Sequence, residues 1–191
     1  MFIKDKYKYK AVVIGGSAGS FPVVSEIFAR LKDNFHLPIF LAPHRLKHVR
    51  EGFSEALNTK SNIHILEPFD KDLVEPGKVY LAPSNYHMSV EKDFRIALSV
   101  EDMVWSSRPS IDITLSSCAH AYEDSLVGII LTGANRDGSL GMKDIKENGG
   151  LTIIQDPKTC MVDTMPKAAQ QETQIDHIYN VEQIIEFLNS L

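Results

Sequence analysis

Short apolar runs rich in β-branched residues alternate along nearly the whole chain with segments whose apolar residues recur at helical spacing, and this alternation restricts the fold more than any other feature. It is the pattern of a parallel sheet covered by helices on both faces. "AVVIG" gives a first strand, Pro22 to Leu31 a helix with Val23, Ile27 and Leu31 on one face, and "LPIFLAPH" a second strand. "VREGFSEALN" then reads as a second helix and "NIHILEP" as a third strand. The middle departs from the pattern: "GKVYLAPSNYHMSVEKDFRIALSV" holds three short strand patterns split by turn residues, which reads as an antiparallel insertion. A helix is expected from about Pro109, a favoured first helical position. "LVGIILTG", the most apolar strand, is expected at the centre of the sheet. "SLGMKDIKENGG" reads as a helix stopped by Gly149 and Gly150, "LTIIQD" as a strand, and "VEQIIEFLNSL" as a closing amphipathic helix. The expected fold class is α/β: a doubly wound, mostly parallel sheet with helices on both faces and a small antiparallel insertion. With 191 residues, one domain over residues 1–191 is expected, residues 1–10 forming an N-terminal extension.

Composition removes several function classes. A net charge of -5 argues against a general nucleic-acid binder, which needs a positive surface to displace counterions. Two cysteines, Cys118 and Cys160, are too few for a disulfide framework and lack metal-ligand spacing. A cytoplasmic location is expected, with no metal and no cofactor, and both thiols are read as packing groups. The apolar run Ala11 to Ile14 is too short for a signal-peptide core, and no stretch approaches the ~20 apolar residues of a membrane span.

The first strand breaks into Gly15-Gly16-Ser17-Ala18-Gly19-Ser20. A dinucleotide-binding turn needs glycines at its first, third and sixth positions, where this chain has Gly15, Ser17 and Ser20. No Gly-Lys-Ser/Thr of a phosphate loop follows. The five residues from Gly15 to Gly19 do fit G-x-S-x-G between strand and helix, where a tight turn exposes a serine hydroxyl. The plain alternative is that Ser17 only caps the following helix.

A base and an acid within reach decide between these readings. Sites in open parallel sheets form outside the carboxyl ends of the strands. Among seven histidines, His44 ends the second strand and sits at such a position, with His87 after "VYLAP" as its rival. Asp137 in "LTGANRDG" follows the most apolar strand, and Asp156 follows "LTIIQD". Ser17, His44 and Asp137 can therefore project from one sheet edge. Their order differs from the Ser, Asp, His of α/β-hydrolases, but a triad is defined by geometry and roles.

With these motifs in view, the chain resembles the catalytic domain of the CheB family, the protein-glutamate methylesterases of bacterial chemotaxis. The resemblance runs from Val12 to the last helix through "IGGSAGS", "PHRLKHVREGFSEALN", "VYLAPSNYHM", "SSRPSIDITL", "GIILTGANRDGSLGMKDIKENGG" and "TIIQDPKTCMVDTMPKAA". It implies a serine hydrolase that demethylates glutamyl methyl esters on chemoreceptor helices, and in some members deamidates receptor glutamines. By the same match Ser17 is the nucleophile, His44 the general base and Asp137 the acid that orients it. Ala18 and Ala134 are candidate oxyanion donors through their backbone amides, and His87 is a candidate either for the substrate cleft or for a buried, hydrogen-bonded structural role. Departures from the family pattern are Ser20 for a glycine, Arg45 for methionine, and Ala134-Asn135-Arg136 ahead of the acid. Arg45 and Arg136 are expected to make the cleft more basic, and Arg108 is a candidate substrate contact. Only ten residues precede the first strand, so the family's usual receiver domain is not expected here. A receiver-domain protein acting in trans is the implied alternative partner. The rival reading from another class is a catalytically weak receptor-binding or scaffold module.

Overall fold

The computed structural model describes residues 8–45 and 52–191. Seven strands form one parallel sheet: β1 (Ala11–Gly16), β2 (Ile39–Pro43), β3 (His64–Leu66), β4 (Lys78–Leu81), β7 (Leu126–Ile130), β8 (Leu151–Gln155) and β9 (His177–Tyr179). Their spatial order is β3-β4-β2-β1-β7-β8-β9. The remaining two strands, β5 (His87–Val90) and β6 (Ile96–Ser99), make a separate antiparallel pair. The helices are α1 (Ser20–Arg30), α2 (Phe53–Asn58), α3 (Ile111–Tyr122), α4 (Ser139–Glu147), α5 (Thr164–Glu172) and α6 (Val181–Leu188).

Side-chain alternation along β1 explains why both faces need helices. Val12 and Ile14 join a core with Val24, Ile27 and Phe28 of α1 and Ile184, Ile185 and Leu188 of α6. Ala11 and Val13 face the opposite core, built with Ile111, Leu115 and Cys118 of α3, Met142 and Ile145 of α4, and Met165 and Ala169 of α5. Burying each large aliphatic side chain contributes about 1.5–3 kcal/mol, so a strand that is apolar throughout is stable only between two such layers.

Several details differ from the sequence reading. Only two of the three middle strand patterns form the antiparallel pair; the first, β4, joins the parallel sheet beside β2. The middle strand is β1, and the more apolar β7 lies next to it. Helix α3 begins at Ile111, with Ser110 as its N-cap, two residues later than Pro109 suggested. Helix α5 had no counterpart in the periodicity reading. The start of the expected second helix, Val49 to Glu51, lies outside the described residues. Among the described residues, no helix is long and apolar enough to cross a membrane.

Candidate active site

Strands β2, β1 and β7 lie side by side, and the chain leaves β1 toward opposite flanks through its two neighbours. Their carboxyl ends form the crevice where such sheets bind ligands. Ser17 follows the last residue of β1, His44 the last residue of β2, and Asp137 lies in the loop after β7. Backbone bonds tie the three segments together: the Ser17 N–H donates to the Thr132 carbonyl at 3.0 Å, and the His44 N–H to the Gly16 carbonyl at 3.1 Å.

The glycine break is built by close packing. A Cβ at Gly15 would lie 2.3 Å from Cγ2 of Ile111, and one at Gly16 2.7 Å from Cβ of Ser20. Gly19 adopts φ +79, and Met161 fills the space over it. The turn is therefore tight and covered where a dinucleotide pyrophosphate would need open backbone. Ser20 opens α1, its backbone N–H and hydroxyl both donating to the Ser17 carbonyl at 2.9 and 2.7 Å. The serine replacing a family glycine thus braces the turn. Ser17 itself is partly exposed, and among the described residues its hydroxyl forms no hydrogen bond.

The His44 ring and the Asp137 carboxylate meet directly, with Nε2 2.7 Å from Oδ2. Asp137 is completely buried. Its charge is held by the amino end of α3: the Ile111 N–H donates to Oδ2 at 2.9 Å, the Asp112 N–H to Oδ1 at 2.8 Å, and the Ser110 hydroxyl to Oδ1 at 2.9 Å. Free helix N–H groups and the positive end of the helix dipole make this a favourable seat for an anion. Since the carboxylate only accepts, Nε2 of His44 carries the proton between them. Nδ1 is left as the basic nitrogen, and among the described residues it forms no hydrogen bond.

Asp112, in the first turn of α3, is a second buried carboxylate. It accepts from the Gly141 N–H at 2.8 Å and the Trp105 indole N–H at 2.8 Å. Burial pushes its carboxyl above the usual range, opposed by those two donors and reinforced by the nearby Asp137 charge. Trp105 therefore sits against the start of α3, with the Arg136 guanidinium 5.2 Å above its ring.

Four other candidates are engaged by partners of their own. His87 is completely buried, its Nδ1 accepting from the Ser110 N–H at 3.1 Å and its Nε2 donating to the Asp102 carbonyl at 3.0 Å. With both nitrogens engaged by backbone, it supports Ser110 and does not line a cleft. Arg45 is buried, pairs with Glu67 at 2.5 Å and stacks 5.1 Å from the Phe53 ring centroid. Arg136 pairs with Glu172 on α5. Both guanidinium charges are thus paired with a carboxylate. Arg108 donates to the carbonyls of Val100 and Glu101 at 2.5 and 2.8 Å, fastening the segment after β6.

The backbone N–H groups of Ala18 and Ala134 donate no hydrogen bond among the described residues. Ala134 is exposed and Ala18 half-buried, so both amides suit a developing oxyanion better than a saturated loop would. The thiols are placed as packing groups. Cys118 is completely buried, and burial raises its thiol far beyond physiological pH; burial together with Asp163 and Asp156 pushes Cys160 up to about 11. Among the described residues no cluster of His, Cys, Asp and Glu could hold a metal ion.

Comparison with known proteins places this arrangement in context. Residues 12–188 match the family model described as CheB methylesterase. A protein of Leptospira interrogans named "Putative protein-glutamate methylesterase/protein-glutamine glutaminase" is 41% identical over 178 residues, covering 93% of this chain and 92% of that one. A Clostridium acetobutylicum protein-glutamate methylesterase/protein-glutamine glutaminase is 33% identical over 92% of this chain, which spans 51% of that relative. Among solved structures, the CheB methylesterase catalytic domain of Thermotoga maritima superposes with a TM-score of 0.89 at 32% identity, covering 95% of this chain and 97% of that one.

Proposed function

The chain belongs to the CheB methylesterase family, and from that premise we propose that it is a serine hydrolase acting on glutamyl methyl esters of chemoreceptor-type proteins. The observation that carries this reading is the 2.7 Å contact between His44 and the buried Asp137, at the strand end next to that bearing Ser17. A serine hydroxyl is a weak nucleophile until a base takes its proton. The basic Nδ1 of His44 accepts the Ser17 proton as Oγ bonds to the ester carbonyl carbon. Asp137 holds the other ring nitrogen and stabilises the imidazolium that results. The carbonyl oxygen becomes an oxyanion, met by the backbone amides of Ala18 and Ala134; such a donor is typically worth ~10²–10³ in turnover.

Collapse of the intermediate breaks the bond to the methoxy oxygen. His44 returns its proton to that oxygen, and methanol leaves an acyl ester on Ser17. Water then attacks the acyl carbon, His44 takes a water proton and passes it to Oγ, and a glutamate carboxylate is released. With a glutamine side chain the same sequence expels ammonia, which accounts for a glutaminase activity in one site.

The direct test is methanol release from a methylated chemoreceptor fragment by the parent and by Ser17→Ala. The parent is expected to release methanol and the variant to be slower by roughly 10⁴–10⁶. Equal rates would remove Ser17 as the nucleophile.

A further inference from the structure

Ser110 stands 27 residues from Asp137 in sequence, yet its hydroxyl donates to Oδ1 of that carboxylate at 2.9 Å. It is completely buried. Its backbone N–H is fixed by Nδ1 of His87 at 3.1 Å, and His87 is fixed in turn by the Asp102 carbonyl. Ser110 is also the N-cap of α3, its oxygen lying 3.5 Å from the Ile113 N–H. At that length the bond is weak beside the 2.9 Å contact to Asp137. The hydroxyl therefore serves the carboxylate more than the helix.

We propose that Ser110, locked by the His87 ring, is a positioning residue that sets which oxygen of Asp137 faces His44. A carboxylate rotates about its Cβ–Cγ bond unless both oxygens are engaged. Here Oδ1 is engaged by the Ser110 hydroxyl and the Asp112 N–H, which leaves Oδ2 to the Ile111 N–H and the His44 ring. Without the hydroxyl, Oδ1 keeps one donor, the Asp112 N–H, in place of two, so the carboxylate is held less firmly against turning away from the line to Nε2. This inference rests on the reading of Asp137 as the acid of a triad.

The test is a double-mutant cycle between Ser110→Gly and Asp137→Asn, with kcat and KM for a methylated receptor fragment. Glycine is nearly as good an N-cap as serine, so it removes the hydroxyl and spares the helix. Ser110→Gly is expected to lower kcat about 10- to 100-fold, the usual effect of losing a hydrogen bond to a charged group, with KM within about twofold. In the Asp137→Asn background the same change is expected to lower kcat by less than about threefold, because its effect passes through the missing carboxylate. Parental kcat in Ser110→Gly with Asp137→Asn impaired would overturn the role of Ser110 alone, as would an effect of equal size in both backgrounds. Parental kcat in Asp137→Asn itself would remove the triad reading, and the inference with it.

Discussion

The Nε2 atom of His44 lies 2.7 Å from Oδ2 of Asp137 although 93 residues separate the two in sequence. What joins them is sheet order: β2 and β7 flank β1, so loops distant in the chain open into one crevice. The acid is buried where the imidazole is only partly exposed, with 0% and 17% side-chain exposure. This shields their contact from screening by water.

Asp137→Asn tests that contact. An amide offers one acceptor oxygen and brings two N–H donors into a site already filled by four. Turnover is expected to fall ~10³–10⁴, the scale of a triad whose histidine is held in the wrong tautomer. The thermal midpoint is expected to fall as well, since α3 loses its anion. Steady-state kinetics and a melting curve check both.

Gly15→Ala tests the packing that brings α3 to the site. The new methyl would meet Ile111 at 2.3 Å and Ile130 at 3.0 Å, so the start of α3 must move. The expected cost is about 1–3 kcal/mol from overpacking, with kcat lowered because the Ile111 and Asp112 amides move with the helix. A denaturant titration and rate measurement on one preparation would show both effects together.

Thiol reagents separate the serine from the cysteines. Cys118 is buried and the Cys160 thiol is pushed up to about 11, so both are overwhelmingly protonated near pH 7.5. Alkylation of the folded protein is expected to be slow and to leave hydrolysis unchanged, while both thiols react at once in denaturant. Loss of activity in step with alkylation would contradict the packing role.

Acid stability follows from Asp176, which joins β8 to α4 by accepting from the Thr152 amide and hydroxyl and pairing with Lys146. Burial pushes its carboxyl up, but Lys146 and the two Thr152 donors outweigh it and hold the carboxyl below its usual value. A carboxyl depressed on folding stabilises the fold above its unfolded value, about 3.9, and that contribution disappears as pH falls through the folded value. Asp176→Asn is expected to cost roughly 1–2 kcal/mol at neutral pH and to flatten the loss of stability below about pH 4. Urea unfolding across that range would reveal either behaviour.

How much of this was legible in the sequence depended on the range of each signal. The parallel α/β class followed from local periodicity, and Ser17, His44 and Asp137 stood out because strand ends are visible in the pattern. The partner of a strand is not visible: β4 and β5 carry similar short patterns, yet β4 pairs with β2 and β5 with β6. Helix α5 escaped notice because its buried face is Met165, Pro166, Ala168 and Ala169, small or helix-breaking residues that make a faint apolar stripe. Arg45 and Arg136 read as cleft charges because Glu67 and Glu172, which pair with them, are 22 and 36 residues away. Ser110 carried a visible signal, a serine after Arg-Pro at a helix start, but nothing local linked its hydroxyl to Asp137.

The most direct measurement is a mass spectrum of the protein treated with a serine-directed fluorophosphonate. Activation of one hydroxyl by the His44–Asp137 pair predicts a single adduct on the peptide bearing Ser17, absent when His44 is replaced by alanine. An unlabelled Ser17 in a preparation that still releases methanol, or an adduct on another residue that tracks loss of activity, would contradict the account.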